Sequence, residues 1–149
     1  MHHYPFKLLI ALTLLLTISL AARANEPDES TIEEVLIMLT DDSLQTQGMA
    51  LVLGNTMADQ GAKVYLLLCD SAGHLAVKKY QSAALKPKNI TPSQMLHNLM
   101  NKGADVKVCA LYLPNSGHTP ADLVEGITPA SPADIARQML KPSFRVFTF

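Results

Sequence analysis

Three short apolar runs constrain this chain more than anything else in it: VLIML at 35–39, VYLLLC at 64–69 and VKVCALYL at 106–113. Each is rich in leucine or β-branched residues. None shows the strict alternation of a strand that keeps one face in water, so each reads as a strand covered on both faces, as in a parallel sheet. The stretches between them carry helical spacing. Alternating strands and helices point to one three-layer α/β/α domain with a mostly parallel five-stranded sheet.

The punctuation between the runs supports that order. Ser43 to Gln60 reads as a helix with Met49, Val52, Leu53, Thr56 and Met57 on one face, Asp42 as its N-cap, Gln45 as the N3 partner and Gly61 as its stop. Thr91-Pro92-Ser93-Gln94 is a helix start with a hydroxyl cap, a proline at the first position and a side chain able to reach back. Its helix presents Met95, Leu96, Leu99 and Met100 and ends at Gly103. Thr119-Pro120-Ala121-Asp122 and Ser131-Pro132-Ala133-Asp134 open two further short helices, the second reaching Leu140. A short helix is expected over Gly73–Gln81 and a loop over Leu85–Asn89. Further strands are expected at Asp105–Leu113, at Gly126–Thr128 and, closing the chain, at Phe144–Phe149.

The first residues read as an export signal. Lys7 precedes an uncharged run, Leu8 to Leu20, and Ala22-Arg23-Ala24 supplies the small-x-small pattern of a cleavage site. That run falls short of the roughly 20 residues that span a bilayer. The expected organisation is a cleaved signal peptide over 1–24, an acidic tether over 25–34 and an α/β domain over 35–149. The expected destination is the periplasm, with no membrane attachment after cleavage. Removing 1–24 leaves 10 basic residues against 13 acidic ones, a net charge of −3. With no basic patch, no arginine cluster and no tryptophan, nucleic acid is not an expected partner.

Chemistry centres on the two cysteines, Cys69 and Cys109, each at or near the end of an apolar run. The carboxyl ends of parallel strands are where open α/β sheets gather their ligands. Cys109 is either a nucleophile, activated by helix-start N–H groups beyond the Leu113–Gly117 loop, or a buried strand residue. Cys69 belongs on the neighbouring strand, about 4.8 Å away. The pair is then a structural disulfide, a resolving couple or two unrelated thiols. His74 and His118 follow the two cysteine strands and are candidate auxiliary residues. The four side chains lack Cys-x-x-Cys or His-x-x-x-His spacing, and no metal is assigned. Asp41-Asp42 has no companion acid or lysine on the other strand ends for magnesium or phospho-acceptor chemistry. No glycine-rich phosphate loop and no serine at a glycine-flanked elbow is present.

The stretch VKVCALYLPNSGHTPADLVEGITPASPADIARQML resembles the DsrE/DsrF-like family of small sulfur-handling proteins. VLIMLTDD, the helix through Met57 and GAKVYLLLCD look like that family's opening β-α-β unit, so the resemblance runs from Val35 to Leu140. It implies a homo-oligomer, trimer or hexamer. It also implies a cysteine that holds sulfur as a persulfide and passes it on, a role that falls on Cys109. No cofactor is implied. An exported member would work with a periplasmic sulfur donor or acceptor protein. Two other functions stay open at this point: a non-catalytic periplasmic binding or assembly module with structural cysteines, and a thiol–disulfide redox protein using Cys69 and Cys109.

Overall fold

The apolar runs form β1 (Glu34–Leu39), β2 (Lys63–Leu68) and β3 (Asp105–Val108); β4 (Thr128–Pro129) and β5 (Phe144–Thr148) complete the sheet. The computed structural model describes residues 33–149, so the expected signal peptide and all but the end of the expected tether lie outside the described residues. The strand order is β4-β3-β2-β1-β5, and every neighbouring pair is parallel. From β1 to β4 the chain steps one way across the sheet, then returns past β1 to place β5 on the far edge. Right-handed crossovers put helices on opposite faces when the direction of travel reverses. Accordingly α1 (Leu44–Asp59) and α2 (Pro92–Asn101) share one face with Val35, Ile37, Leu39, Leu66, Leu68 and Val108. The last long helix (Pro132–Met139) covers the other face through Ile135, over Leu36, Leu67 and Phe144. The architecture is the single three-layer α/β/α domain expected.

Helix α1 departs from expectation in the face it buries. Gln47, Gly48, Ala50, Leu51 and Gly54 turn inward, while Met49 and Val52 are 55% and 48% exposed. Small residues win the inner face because α1 packs tightly: a β-carbon on Gly54 would lie 3.1 Å from Ile37 Cδ1 and 3.3 Å from Leu99 Cδ2. Its start also shifts by one residue. Ser43, not Asp42, is the N-cap, and Asp41 Oδ1 accepts the Ser43 N–H at 2.6 Å. Both α1 and α2 stop in the same six-residue wrap. Gly61 and Gly103, at φ +91° and +89°, let Ala62 N–H reach Met57 O and Ala104 N–H reach Leu99 O. The Thr91–Gln94 capping box is present in full.

One polar side chain sits badly in this core. Gln47 is 1% exposed; its Nε2 donates to Asp41 O at 3.3 Å, and its Oε1 has no partner. A buried orphan acceptor costs about 1–3 kcal/mol. Gln47→Leu removes the orphan and gives up only one long bond to a backbone oxygen at an exposed residue. The expected result is a gain of roughly 1 kcal/mol, read as a higher denaturant midpoint at unchanged m-value; a lower midpoint would show that the amide earns its place.

Candidate functional site

Register alone brings the two cysteines together. Leu68 of β2 pairs with Val108 of β3, so the next residue on each strand is a cysteine. The ladder runs on through them: Cys109 N–H donates to Leu68 O at 2.8 Å, and Cys69 N–H donates to Leu39 O at 2.9 Å. Thr40, Cys69 and Cys109 therefore stand side by side along the carboxyl rim of β1, β2 and β3. Both thiols are free, and both are half-buried. Burial first, and then the electrostatic interaction with Cys109 beside it, push the Cys69 thiol up to about 12.

Of the two, Cys109 lines a cleft among the described residues. This cleft of about 470 Å³ is lined by Asp70, Ser71, His74 and Cys109 together with the 111–116 segment through Leu111, Tyr112, Asn115 and Ser116. No lysine or arginine lines it. Its polar wall is built on two segments that follow the cysteines. The first is a 3-10 helix, Asp70–Ala76, which begins three residues before the start of the short helix expected over Gly73–Gln81. Asp70 enters that turn at φ +46°, and Ser71 Oγ anchors it by donating to Thr40 O at 3.1 Å. The second is α3 (Tyr112–Ser116), which closes at Gly117 in the left-handed region.

A hydrogen bond joins the two segments across the cleft, between Tyr112 Oη and His74 Nδ1 at 2.8 Å. Burial raises the Tyr112 phenol above its usual range, with a hydrogen bond from Ser116 partly offsetting the effect. Either group can donate, the phenol to Nδ1 or Nδ1–H to the phenol oxygen, according to the imidazole tautomer. Rings stack around this bond: Tyr80 lies over His74 at 5.8 Å and His118 over Tyr112 at 6.2 Å.

Of the expected site residues, Cys109 and His74 line the cleft. Cys69 lies beside Cys109 and is not part of the lining, and His118 packs behind Tyr112. Among the described residues no three His, Cys, Asp or Glu side chains gather closely enough to hold a metal ion. The strand expected over Asp105–Leu113 ends at Val108 instead. The chain turns at once, with Tyr112 N–H donating to Cys109 O at 2.9 Å, and Leu111 is left 71% exposed. This correction matters for the site, because a continued strand would have carried Tyr112 away from His74. The helix expected from Thr119 is only the 3-10 turn Pro120–Asp122. Its carboxylate serves the local cap: Asp122 Oδ2 accepts from Thr119 N and Oγ1, both at 2.8 Å, and these bonds hold Asp122 below the usual carboxylate range. Tyr112, Ser71 and Asn115 were not singled out by the sequence. Pro114 is the signal that could have found Tyr112 and Asn115, since proline suits the first turn of a helix and not the interior of a sheet.

No family model and no curated protein matches the sequence. Solved structures do share the fold. The ychN protein from E. coli superposes with a TM-score of 0.67 at 18% identity, over 80% of this chain and 100% of that one. A protein of unknown function, MTH1491 from Methanobacterium thermoautotrophicum, gives 0.61 at 17% identity, over 78% of this chain and 99% of its own. Another, BT1422 from Bacteroides thetaiotaomicron, gives 0.60 at 16%, over 78% and 95%.

Proposed function

We propose that this chain is an exported DsrE/DsrF-like sulfur carrier that holds a persulfide on Cys109. The observation that carries the reading is the placement of Cys109 at the strand rim, lining a cleft with Asp70, Ser71, His74, Leu111 and Tyr112. In the loading step the Cys109 thiolate attacks a sulfur of a tetrasulfide dianion; the persulfide anion forms and a trisulfide dianion leaves. In the unloading step an acceptor thiolate attacks the outer sulfur, takes it as its own persulfide, and returns Cys109 as the thiolate. Neither step needs a cofactor. Export through cleavage before Asn25 and a periplasmic donor or acceptor protein belong to the same proposal.

The test uses the reduced protein exposed to tetrasulfide and freed of excess donor. One sulfur atom of added mass on Cys109, released by reductant and transferred stoichiometrically to cyanide as thiocyanate, is the expected result. Cys109→Ser is expected to lose both signals entirely. Equal sulfur uptake by Cys109→Ser, or neither a sulfur adduct nor hydrosulfide release from the wild type, would remove the carrier reading and leave a binding module in its place.

Self-association is part of the proposal. Strand β5 is an edge strand exposed from Arg145 to Phe147, and Met139, Leu140, Val146 and Phe147 are exposed apolar side chains on it or at the end of the preceding helix. An unpaired edge flanked by apolar side chains is a ready partner for another chain. Light scattering is expected to give a trimer or hexamer, and Leu140→Glu combined with Phe147→Glu to shift it toward monomer. A wild-type monomer at micromolar concentration would contradict this part.

A further inference from the structure

The geometry points to Cys69 as the resolving thiol of the Cys109 persulfide, a role that rests on the carrier reading and gives the site a second outcome. Cys69 and Cys109 extend the Leu68–Val108 rung of adjacent parallel strands, whose separation of about 4.8 Å lies inside the Cα range of a disulfide. Their unequal settings divide the work. Cys109 lines the cleft, beside the core under α1 and α2, and meets the donor; Cys69, on the neighbouring strand, packs beside the core under the last helix.

In the resolving step the Cys69 sulfur attacks the inner sulfur of Cys109–S–S⁻. The Cys69–Cys109 bond forms, the bond to the outer sulfur breaks, and that sulfur leaves with the bonding electron pair. The Cys69 proton goes with it, so the product is hydrosulfide. The two cysteine sulfurs are oxidised and the sulfane sulfur is reduced; no outside oxidant is needed. A thiol that burial keeps protonated suits this role in two ways. It resists attacking early, which lets the persulfide persist for an acceptor, and it carries the proton that the departing sulfur takes. With no acceptor present, the site therefore ends as a closed disulfide that cannot be reloaded until reduced.

The experiment loads reduced wild-type protein and Cys69→Ser with tetrasulfide, removes excess donor, and follows hydrosulfide, intact mass and disulfide-linked peptides over time. The wild type is expected to release one hydrosulfide per persulfide at a first-order rate independent of protein concentration. It should end two hydrogens lighter than the reduced protein, with Cys69 and Cys109 peptides linked. Cys69→Ser is expected to keep its persulfide at least tenfold longer. The peptide map is read on the wild type itself, so it decides the matter even if the variant folds poorly. A wild-type persulfide as long-lived as that of Cys69→Ser, or sulfur loss without the linkage, overturns the resolving role and leaves the carrier standing. No adduct on Cys109 in either protein overturns both.

Discussion

Native protein treated with iodoacetamide at pH 8 is expected to take up one label quickly, on Cys109, and a second on Cys69 only about 10³-fold more slowly than a free cysteine would. The alkylating species is the thiolate. A thiol pushed up to about 12 is ionised at pH 8 to roughly one part in 10⁴, against about one part in 4 for an ordinary cysteine. Access acts in the same direction, since Cys109 lines the cleft and Cys69 does not. Cys109→Ser is informative because the causes on Cys69 are ranked. Burial, the larger one, survives the substitution, while the electrostatic interaction with Cys109 is lost. Cys69 labelling is therefore expected to speed up in the variant and still stay well below the free-cysteine rate. Peptide mapping after timed quenching measures both. Two labels entering the wild type at similar rates would show that the rim is open to solvent on both sides, and the division of labour between the cysteines would fall with it.

The sheet was legible because its information is local. VLIML and VYLLLC can only be strands covered on both faces, and the capping box of Thr91 and Gln94 marks a helix start whatever surrounds it. What failed depended on contacts across the fold. Met49 and Val52 satisfy a helical period as well as Ala50 and Leu51 do, but Gly54 allows α1 to approach Ile37 and Leu99 and Gly48 makes room for Leu85, and that closeness decides which face turns inward. At 109–113 the residues Ala110 to Leu113 are apolar enough to continue β3. The strand stops because Cys109 O and Tyr112 N–H close a turn there, and Tyr112 then finds His74, distant in sequence. Cys109 and His74 were thus visible from where their strands end, while the cleft that joins them was not. Its walls come from two irregular segments whose pairing no local pattern encodes.

That pairing turns on Gly73, and Gly73→Ala is expected to lower stability by about 2–3 kcal/mol, the upper part of the range for overpacked sites. A β-carbon at this position would lie 2.2, 2.5 and 2.7 Å from three ring carbons of Tyr112. Ordinary contact needs at least 3.4 Å, so the ring has to retreat by more than 1 Å. It has little room to do so. Its hydroxyl is bonded to His74 Nδ1, the His74 ring meets it edge-on at 5.7 Å, and His118 stacks on it. Gly73 is not in the left-handed region, so the backbone accepts alanine and the effect isolates the clash. In a domain of this size such a loss lowers Tm by roughly 10 °C. Tyr112 also begins α3, one turn beyond Cys109, so the moved ring is expected to distort the cleft and slow Cys109 labelling. Combining Gly73→Ala with Tyr112→Ala separates clash from any general intolerance. If the ring is what the new methyl meets, the double variant is more stable than the two single losses added together, by about 2 kcal/mol of coupling, as neighbouring side chains give. Additive losses, or a Gly73→Ala protein within 0.5 kcal/mol of wild type, would mean that Tyr112 is free to swing away, and the wall of the cleft would then be a movable one.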